Sequence, residues 1–476
     1  MKADTIISWS DKLIVFSFQA MILYIPVSTA MVETFSSIII TALFVKKTTA
    51  YFLNRKNKAP PQTAIPWMGS LLNFFKSYKP EPNYINWPMG IYLCANLLSV
   101  IFSQDHWLSL KGFIFKLFQN IALFYAFWEC MKTKKQIQLF VFLNLLITFL
   151  VAINGFIQYW RVYDFVYFHA LLNDRVLSTF KHPNDFAAYL LIPLLLSLGL
   201  LTGGTAQSDK IRNPANSPKD TAFFSVPDQI RLWILLGLFL LCFGLTFSRG
   251  AWGSFMLALV WLGIMERKTI KISILVVAIF LAMFVPKMVT TRNVSFLSDE
   301  VNNHAQSQGE VKKDSSVTFL QDTLKISKNF AGQGRKVFWK EAINVIRAFP
   351  VLGAGLNTYS KVAPEFSANW EGYYAHNCYL QMTAETGIIG LLAFIWIIWR
   401  LLWQAIKNVR QIEDKFLSAA FLGFFAGWTA FMMHSFVDTN FYSVQLGTLM
   451  WVVMGAMVAI EKLAAKNTEE KARSLR

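Results

Sequence analysis

Apolar runs of about bilayer length recur along this chain, separated by polar stretches, and this pattern sets the fold class before any motif is considered. The runs lie at about 13–25, 29–45, 85–103, 108–130, 137–159, 185–203, 231–248, 250–265, 270–286, 386–403, 417–434 and 442–460. A hydrocarbon core needs ~20 residues of helix, so the pattern predicts an all-α polytopic membrane protein with about twelve transmembrane helices. The first run has Lys2 and Lys12 ahead of it and Ser28-Thr29-Ala30 behind it, in the manner of a signal peptide. A second run follows at once, so the first is read as a span. The polar stretch 204–230 reads as a linker, and no internal repeat is visible. The predicted organisation is 1–286 with about nine helices, a long loop at 287–385, and 386–476 with about three helices and a tail.

The polar stretches differ in charge. Lys46, Lys47, Arg55, Lys56 and Lys58 follow the second run, and Lys132, Lys134 and Lys135 follow the fourth. Further basic clusters are Lys210, Arg212, Lys219 and Arg231; Arg267, Lys268 and Lys271; Arg400, Lys407, Arg410 and Lys415; and Lys462, Lys466, Lys471 and Arg473. All of them fall on one side of the predicted layout. Basic loops mark the cytoplasm, so both termini are placed there. The other face receives 160–184, the turn Ser248-Arg249-Gly250, the segment 287–385 and the turn 435–441. Within the long segment, 293–333 is polar and aperiodic. From 335 to 349 the pattern becomes helical, with Phe338, Trp339, Ala342, Val345, Ile346 and Phe349 on one stripe. Lys336, Lys340, Asn344 and Arg347 lie opposite. Arg335 falls on the apolar stripe at the first turn, which calls for an anionic partner, either a carboxylate or a bound phosphate. Pro350 ends the helix, and Gly353-Ala354-Gly355 makes a turn.

Composition agrees: the 476 residues are 55% hydrophobic and only 15% charged, which excludes an ordinary soluble domain. A net charge of +17 would point a soluble protein toward nucleic acid. Here the charge sits in short segments between spans, so it reads as topology, with an anionic lipid-linked substrate as the sharper reading. No nucleic-acid partner is expected. The four cysteines show no CxxC or metal spacing, so neither disulfide nor metal site is expected. Cys378 has only His376 near it in sequence to activate it, and reads as a small packed residue. There is no phosphate-binding GxxxxGK[ST], no GxSxG and no HExxH. The outward face instead carries Arg175, Lys181, His182, Arg249, Arg335, His376 and Asp438, against the topological bias. Arginine's planar fork suits phosphate, and histidine suits proton removal near neutral pH. Together they suggest group transfer from a lipid diphosphate to a hydroxyl outside the cytoplasm, with no cofactor.

Several blocks also carry a resemblance. Phe247-Ser248-Arg249-Gly250-Ala251-Trp252, Arg335 with Trp339 and Ala342, Pro350-Val351-Leu352-Gly353-Ala354-Gly355, and His376-Asn377 with Gly387 and Gly390 resemble the O-antigen ligase and O-antigen polymerase superfamily over about 247–442. Upstream, Ser178-Thr179-Phe180-Lys181-His182-Pro183-Asn184 is similar to the family as well. The resemblance implies an O-antigen ligase-like, metal-independent, inverting glycosyltransferase of the bacterial inner membrane, with its active site on the periplasmic face. Its donor would be a glycan on undecaprenyl diphosphate, its acceptor lipid A–core, and membrane lipids would surround it. By the same resemblance Arg249 and Arg335 contact the diphosphate, His376 is the base, and Arg175 and Lys181 lie in the corresponding earlier loop. Asn377, Glu385, His434 and Asp438 would support the site, Asp438 by orienting His376 or by pairing with an arginine. An O-antigen or exopolysaccharide polymerase and a protein O-oligosaccharyltransferase share these blocks and differ in acceptor. A membrane transporter and an assembly scaffold are the readings from other classes. The glycan and the acceptor stay open.

Overall fold

A computed structural model describes residues 3–56, 80–203, 226–265, 273–274, 276–278, 335–367 and 374–474. The helices are α1 (Ala3–Tyr24), α2 (Thr29–Lys56), α3 (Asn86–Ile101), α4 (His106–Gly112), α5 (Gln119–Cys130), α6 (Lys134–Arg161), α7 (Pro183–Gly203), α8 (Val226–Leu245) and α9 (Arg249–Met265). They continue with α10 (335–348), α11 (Tyr359–Val362), α12 (Cys378–Asn408), α13 (Lys415–His434) and α14 (Val444–Ser474). Among the described residues the only β pairing is two isolated bridges in the 162–175 loop. Among the described residues seven helices, α1, α2, α6, α7, α12, α13 and α14, are long and apolar enough to cross a membrane. The predicted run 108–130 is helical in three pieces, α4, a π-helical turn at Phe113–Phe118, and α5. The predicted run 270–286 and the polar stretch 293–333 lie largely or wholly outside the described residues.

α7 is the central post, with 94% of its apolar window buried. It packs along α13 because both helices are small at the crossing. A Cβ on Gly423 would lie 2.6 Å from the Leu196 Cα, and one on Gly427 would lie 2.8 Å from the Ile192 Cα. Gly423 and Gly427 stand four apart, the spacing by which membrane helices bring their backbones together. Polar pairs gather at one end of the bundle. Lys46 meets Asp11 at 2.8 Å and Glu129 at 3.0 Å, Lys132 meets Asp11 at 2.7 Å, and Lys134 meets Asp414 at 2.7 Å. These residues belong to clusters or helix ends that the charge pattern assigns to one face. The α1–α2, α6–α7, α8–α9 and α13–α14 connections of the other face lie at the opposite end.

Two loops of that end are fixed by buried amides and by backbone exchange. Gln158 of α6 accepts the N–H groups of Leu177 and Ser178 at 3.0 and 2.8 Å, and Asn154 donates to the Ser178 hydroxyl at 3.0 Å. Val176 N–H then reaches the last carbonyl of α8, Leu245, at 3.1 Å. The second fixture is a break in α12, which begins at Cys378, within the segment the pattern assigns to the loop. Gly387 has φ 66° and ψ −176°, outside any helix. A break in a buried apolar helix needs partners for the backbone groups it releases. Ala354 and Gly355 N–H donate to the Ala384 and Glu385 carbonyls at 2.8 and 2.9 Å, and Ile388 N–H donates to the Pro350 carbonyl at 3.0 Å. The turn at 350–355 is therefore bound into α12 as a missing turn of backbone.

Candidate functional site

His376 stands immediately before α12 in the left-handed region, φ 48°. Asn377 follows as the helix N-cap, its side-chain oxygen accepting the N–H groups of Tyr379 and Leu380 at 3.0 Å each. This is the expected use of an asparagine at a helix start. The unusual backbone at His376 is held from both sides. Ala375 N–H donates to the Gln381 side chain at 3.1 Å, and Cys378 N–H donates to the Ser435 carbonyl at 2.9 Å. From above, α10 docks: the Trp339 indole donates to the His376 carbonyl at 3.4 Å, and the Phe338 ring centre lies 5.4 Å from the imidazole. The His376 side chain stays 39% exposed.

Behind the imidazole lies Asp438. Its Oδ1 is 3.6 Å from His376 Nδ1, an ion-pair distance slightly longer than a hydrogen bond. Its other oxygen accepts from the Asn184 amide at 2.7 Å, and Thr439 N–H donates to Oδ1 at 2.8 Å. Burial works against ionising this carboxyl. His376 beside it, the neighbouring His434 ring and the Thr439 N–H outweigh burial and hold it well below the usual carboxylate range. Asp438 thus sits against His376, and among the described residues Asn184 links it by hydrogen bonds to Arg175. The Asn184 oxygen accepts from Arg175 Nη2 at 2.6 Å, and Arg175 Nε donates to the Thr246 carbonyl at 2.6 Å.

Arg175 is half-buried and does not stand alone. Burial is the main influence lowering its pKa from the ordinary value, and the charges of Arg335 and Arg249 lower it further against the pull of Asp438. Three arginines from three separated stretches thus share one region. Arg249 opens α9 and is exposed. The residue after it, Gly250, lies against the α13–α14 turn, where a Cβ would come within 2.5 Å of Val437 and 3.3 Å of the His434 ring. Arg335 departs from expectation: it is exposed, not buried under the apolar stripe. The side chain of a first-turn residue points back past the helix end, so Arg335 clears the stripe that Ala342 and Val345 bury.

The remaining candidates divide. His434 is fully buried, its Nδ1 held by the Asn440 amide at 3.0 Å, and it forms the floor of the site. Glu385 is buried beneath the site and does not face His376. It accepts from Asn357 N–H at 3.0 Å and from the Tyr442 hydroxyl at 3.2 Å, fastening the 356–359 turn to α12. Lys181 is exposed, and among the described residues no hydrogen bond or ion pair joins it to the arginines. Cys378 is fully buried, with Sγ 3.2 Å from the Asp438 carbonyl. Among the described residues no group of His, Cys, Asp and Glu is arranged to hold a metal ion. Two residues of the site escaped the sequence reading, Asn184 and Asp185. Asp185 acts electrostatically on Tyr374 and lies within reach of the charges of Asp438 and His376. The available signal was two polar residues opening a helix that is otherwise wholly apolar.

Compared with known proteins, the chain has no match among curated sequences. Residues 234–395, which include Arg249, Arg335 and His376, match the O-Antigen ligase family model. That match supports placing this part of the chain with the O-antigen ligase superfamily.

Proposed function

We propose that this protein is a glycosyltransferase that moves a glycan from undecaprenyl diphosphate to an acceptor hydroxyl at the periplasmic face of a bacterial inner membrane, with lipid A–core as acceptor. The observation that carries the reading is the pairing of three mutually repelling arginines with a histidine backed by a buried carboxylate. Such a cationic set is relieved by an anionic ligand, and a diphosphate supplies the charge. His376 takes the proton from the acceptor hydroxyl, and Asp438 stabilises the imidazolium that forms. The hydroxyl oxygen attacks the anomeric carbon from the side opposite the diphosphate. The bond from that carbon to the phosphate oxygen breaks with its electron pair, and the configuration inverts. Arg175, Arg249 and Arg335 receive the charge that develops on the leaving group. A polymerase or a protein transferase would use the same step with a different acceptor. The break in α12 is a feature shared with transporters. The Ala384 and Glu385 carbonyls and the Ile388 N–H freed by it are bonded to 350–355, which leaves fewer ligands for a passing solute and supports the transferase reading.

The test is complementation of a null strain with wild type or His376→Ala at matched membrane levels, with envelope glycans resolved by gel. The expected result is loss of long glycan on lipid A–core with accumulation of lipid-diphosphate glycan. Shortened chains with single repeats still attached would indicate the polymerase. A wild-type pattern from His376→Ala would overturn the assignment of the base.

A further inference from the structure

A second histidine borders the same region, and its protonation is set by the fold. His182 is the N-cap of α7: its carbonyl accepts the first helical N–H groups, from Asp185 at 3.1 Å and Phe186 at 3.3 Å, and Pro183 follows at the first helical position. Its Nδ1 accepts the Asn184 backbone N–H at 3.2 Å. An imidazole nitrogen that accepts a hydrogen bond carries no proton, so the remaining proton of the neutral ring is on Nε2. Protonating Nδ1 would break the cap. The surroundings act in the same direction. Burial lowers the pKa of His182, the charges of Arg175, His376 and Arg335 lower it further, and Asp438 opposes them. Those partners are the residues of the proposed site. Among the described residues no protein group takes the Nε2–H.

We propose that His182 is a further substrate-binding residue of this site, a neutral imidazole whose Nε2–H donates to a diphosphate oxygen of the leaving group. The inference rests on the diphosphate reading given above. A hydrogen-bond donor within electrostatic reach of Arg175 and Arg335, and lacking a protein acceptor among the described residues, is matched by an anionic oxygen. A neutral donor adds a hydrogen bond to that oxygen without adding a fourth cation to three that already repel one another. It also explains why a histidine stands where serine, asparagine or aspartate is the common cap: those side chains cap equally well but end short of the ligand.

This difference supplies the test. His182→Asn keeps a capping oxygen and loses the reach. With full-length protein purified in detergent, binding of farnesyl diphosphate is measured for wild type, His182→Asn and Arg249→Ala, and thermal stability is measured alongside. A hydrogen bond to a charged group predicts about 10-fold weaker binding by His182→Asn with unchanged stability. Wild-type affinity in His182→Asn together with lost affinity in Arg249→Ala would overturn the role of His182 and leave the diphosphate site standing. Failure of wild type itself to bind would overturn the site reading as well. If His182→Asn loses stability, His182→Ser, with an equally good capping oxygen, is measured in its place and judged by the same outcomes.

Discussion

Replacing Gly387 with alanine should unfasten the break in α12. At φ 66° and ψ −176° the backbone is in a region open essentially to glycine alone, and a side chain there costs about 1–3 kcal/mol. The new Cβ would also sit 2.0 Å from the Val351 carbonyl oxygen and 2.2 Å from its carbon. Those atoms are backbone, so the 350–355 segment must move. Its bonds to Ala384, Glu385 and Ile388 are then lost or stretched, at roughly 0.5–1.5 kcal/mol each. Together these terms give about 2.5–7.5 kcal/mol. Gly237→Ala is the control. Nothing lies within 4 Å of a Cβ at that position, and alanine favours a helix by up to about 1 kcal/mol. Unfolding would be followed by tryptophan fluorescence during SDS titration in mixed micelles. Gly387→Ala should unfold at markedly lower SDS and lose transfer activity, because His376 lies on the half-helix ahead of the break. An unfolding midpoint equal to that of Gly237→Ala would refute the reasoning.

Other consequences are more local. Asp438→Asn removes the anion behind His376, so the maximal rate should fall by about 10²-fold or more; a wild-type rate would separate Asp438 from the base. Arg249→Lys and Arg335→Lys keep the charge but lose the planar fork, and each should retain more activity than the alanine variant while falling well below wild type; equal activity in lysine and alanine variants would argue against charge stabilisation. The folded-state pKa of His182 lies below its unfolded value of ~6.5, so its contribution to stability is present above that pH and is lost as the pH falls below it. Thermal stability between pH 7.5 and 5 should therefore fall less in His182→Asn than in wild type; equal slopes would show that His182 does not titrate in this way. Cys378 is buried with its thiol against the Asp438 carbonyl, so it should resist maleimide until the protein unfolds; rapid labelling of native protein would show that its packing is wrongly placed.

The helical class was legible because bilayer length acts locally on the chain. The grouping of Arg249, His376 and Asp438 could also be anticipated, since each stands at a helix end or in the turn beside one, whereas Arg175 lies in the middle of the loop between α6 and α7. Burial was harder to read. Arg335 lies on the apolar stripe of a helical wheel, but a wheel omits the backward tilt of first-turn side chains, which carries this one clear. Glu385 reads as a supporting residue of the site, and its contact with the Asn357 N–H depends on a turn remote from it in fold and unseen in the pattern. The break at Gly387 was not visible, because Gly387 and Gly390 fit an ordinary apolar helix and the segment that completes it, 350–355, is remote in sequence. Asn184 stood only as the last residue of the block that begins at Ser178. Its role depends on Asp438, from the far side of the chain.

The order in which the site's parts leave the ribosome has a consequence for the cell. Arg175 and Asn184 are made early, Arg249 and Arg335 later, and Asp438 only after α13 is complete. Until then Asn184 lacks its partner, His376 lacks its counter-charge, and the floor under Gly250 is missing. On the proposed reading, a nascent chain that ends before Asp438 holds all three arginines but lacks the carboxylate that backs its base, so the site is completed by one of the last helix connections to be made.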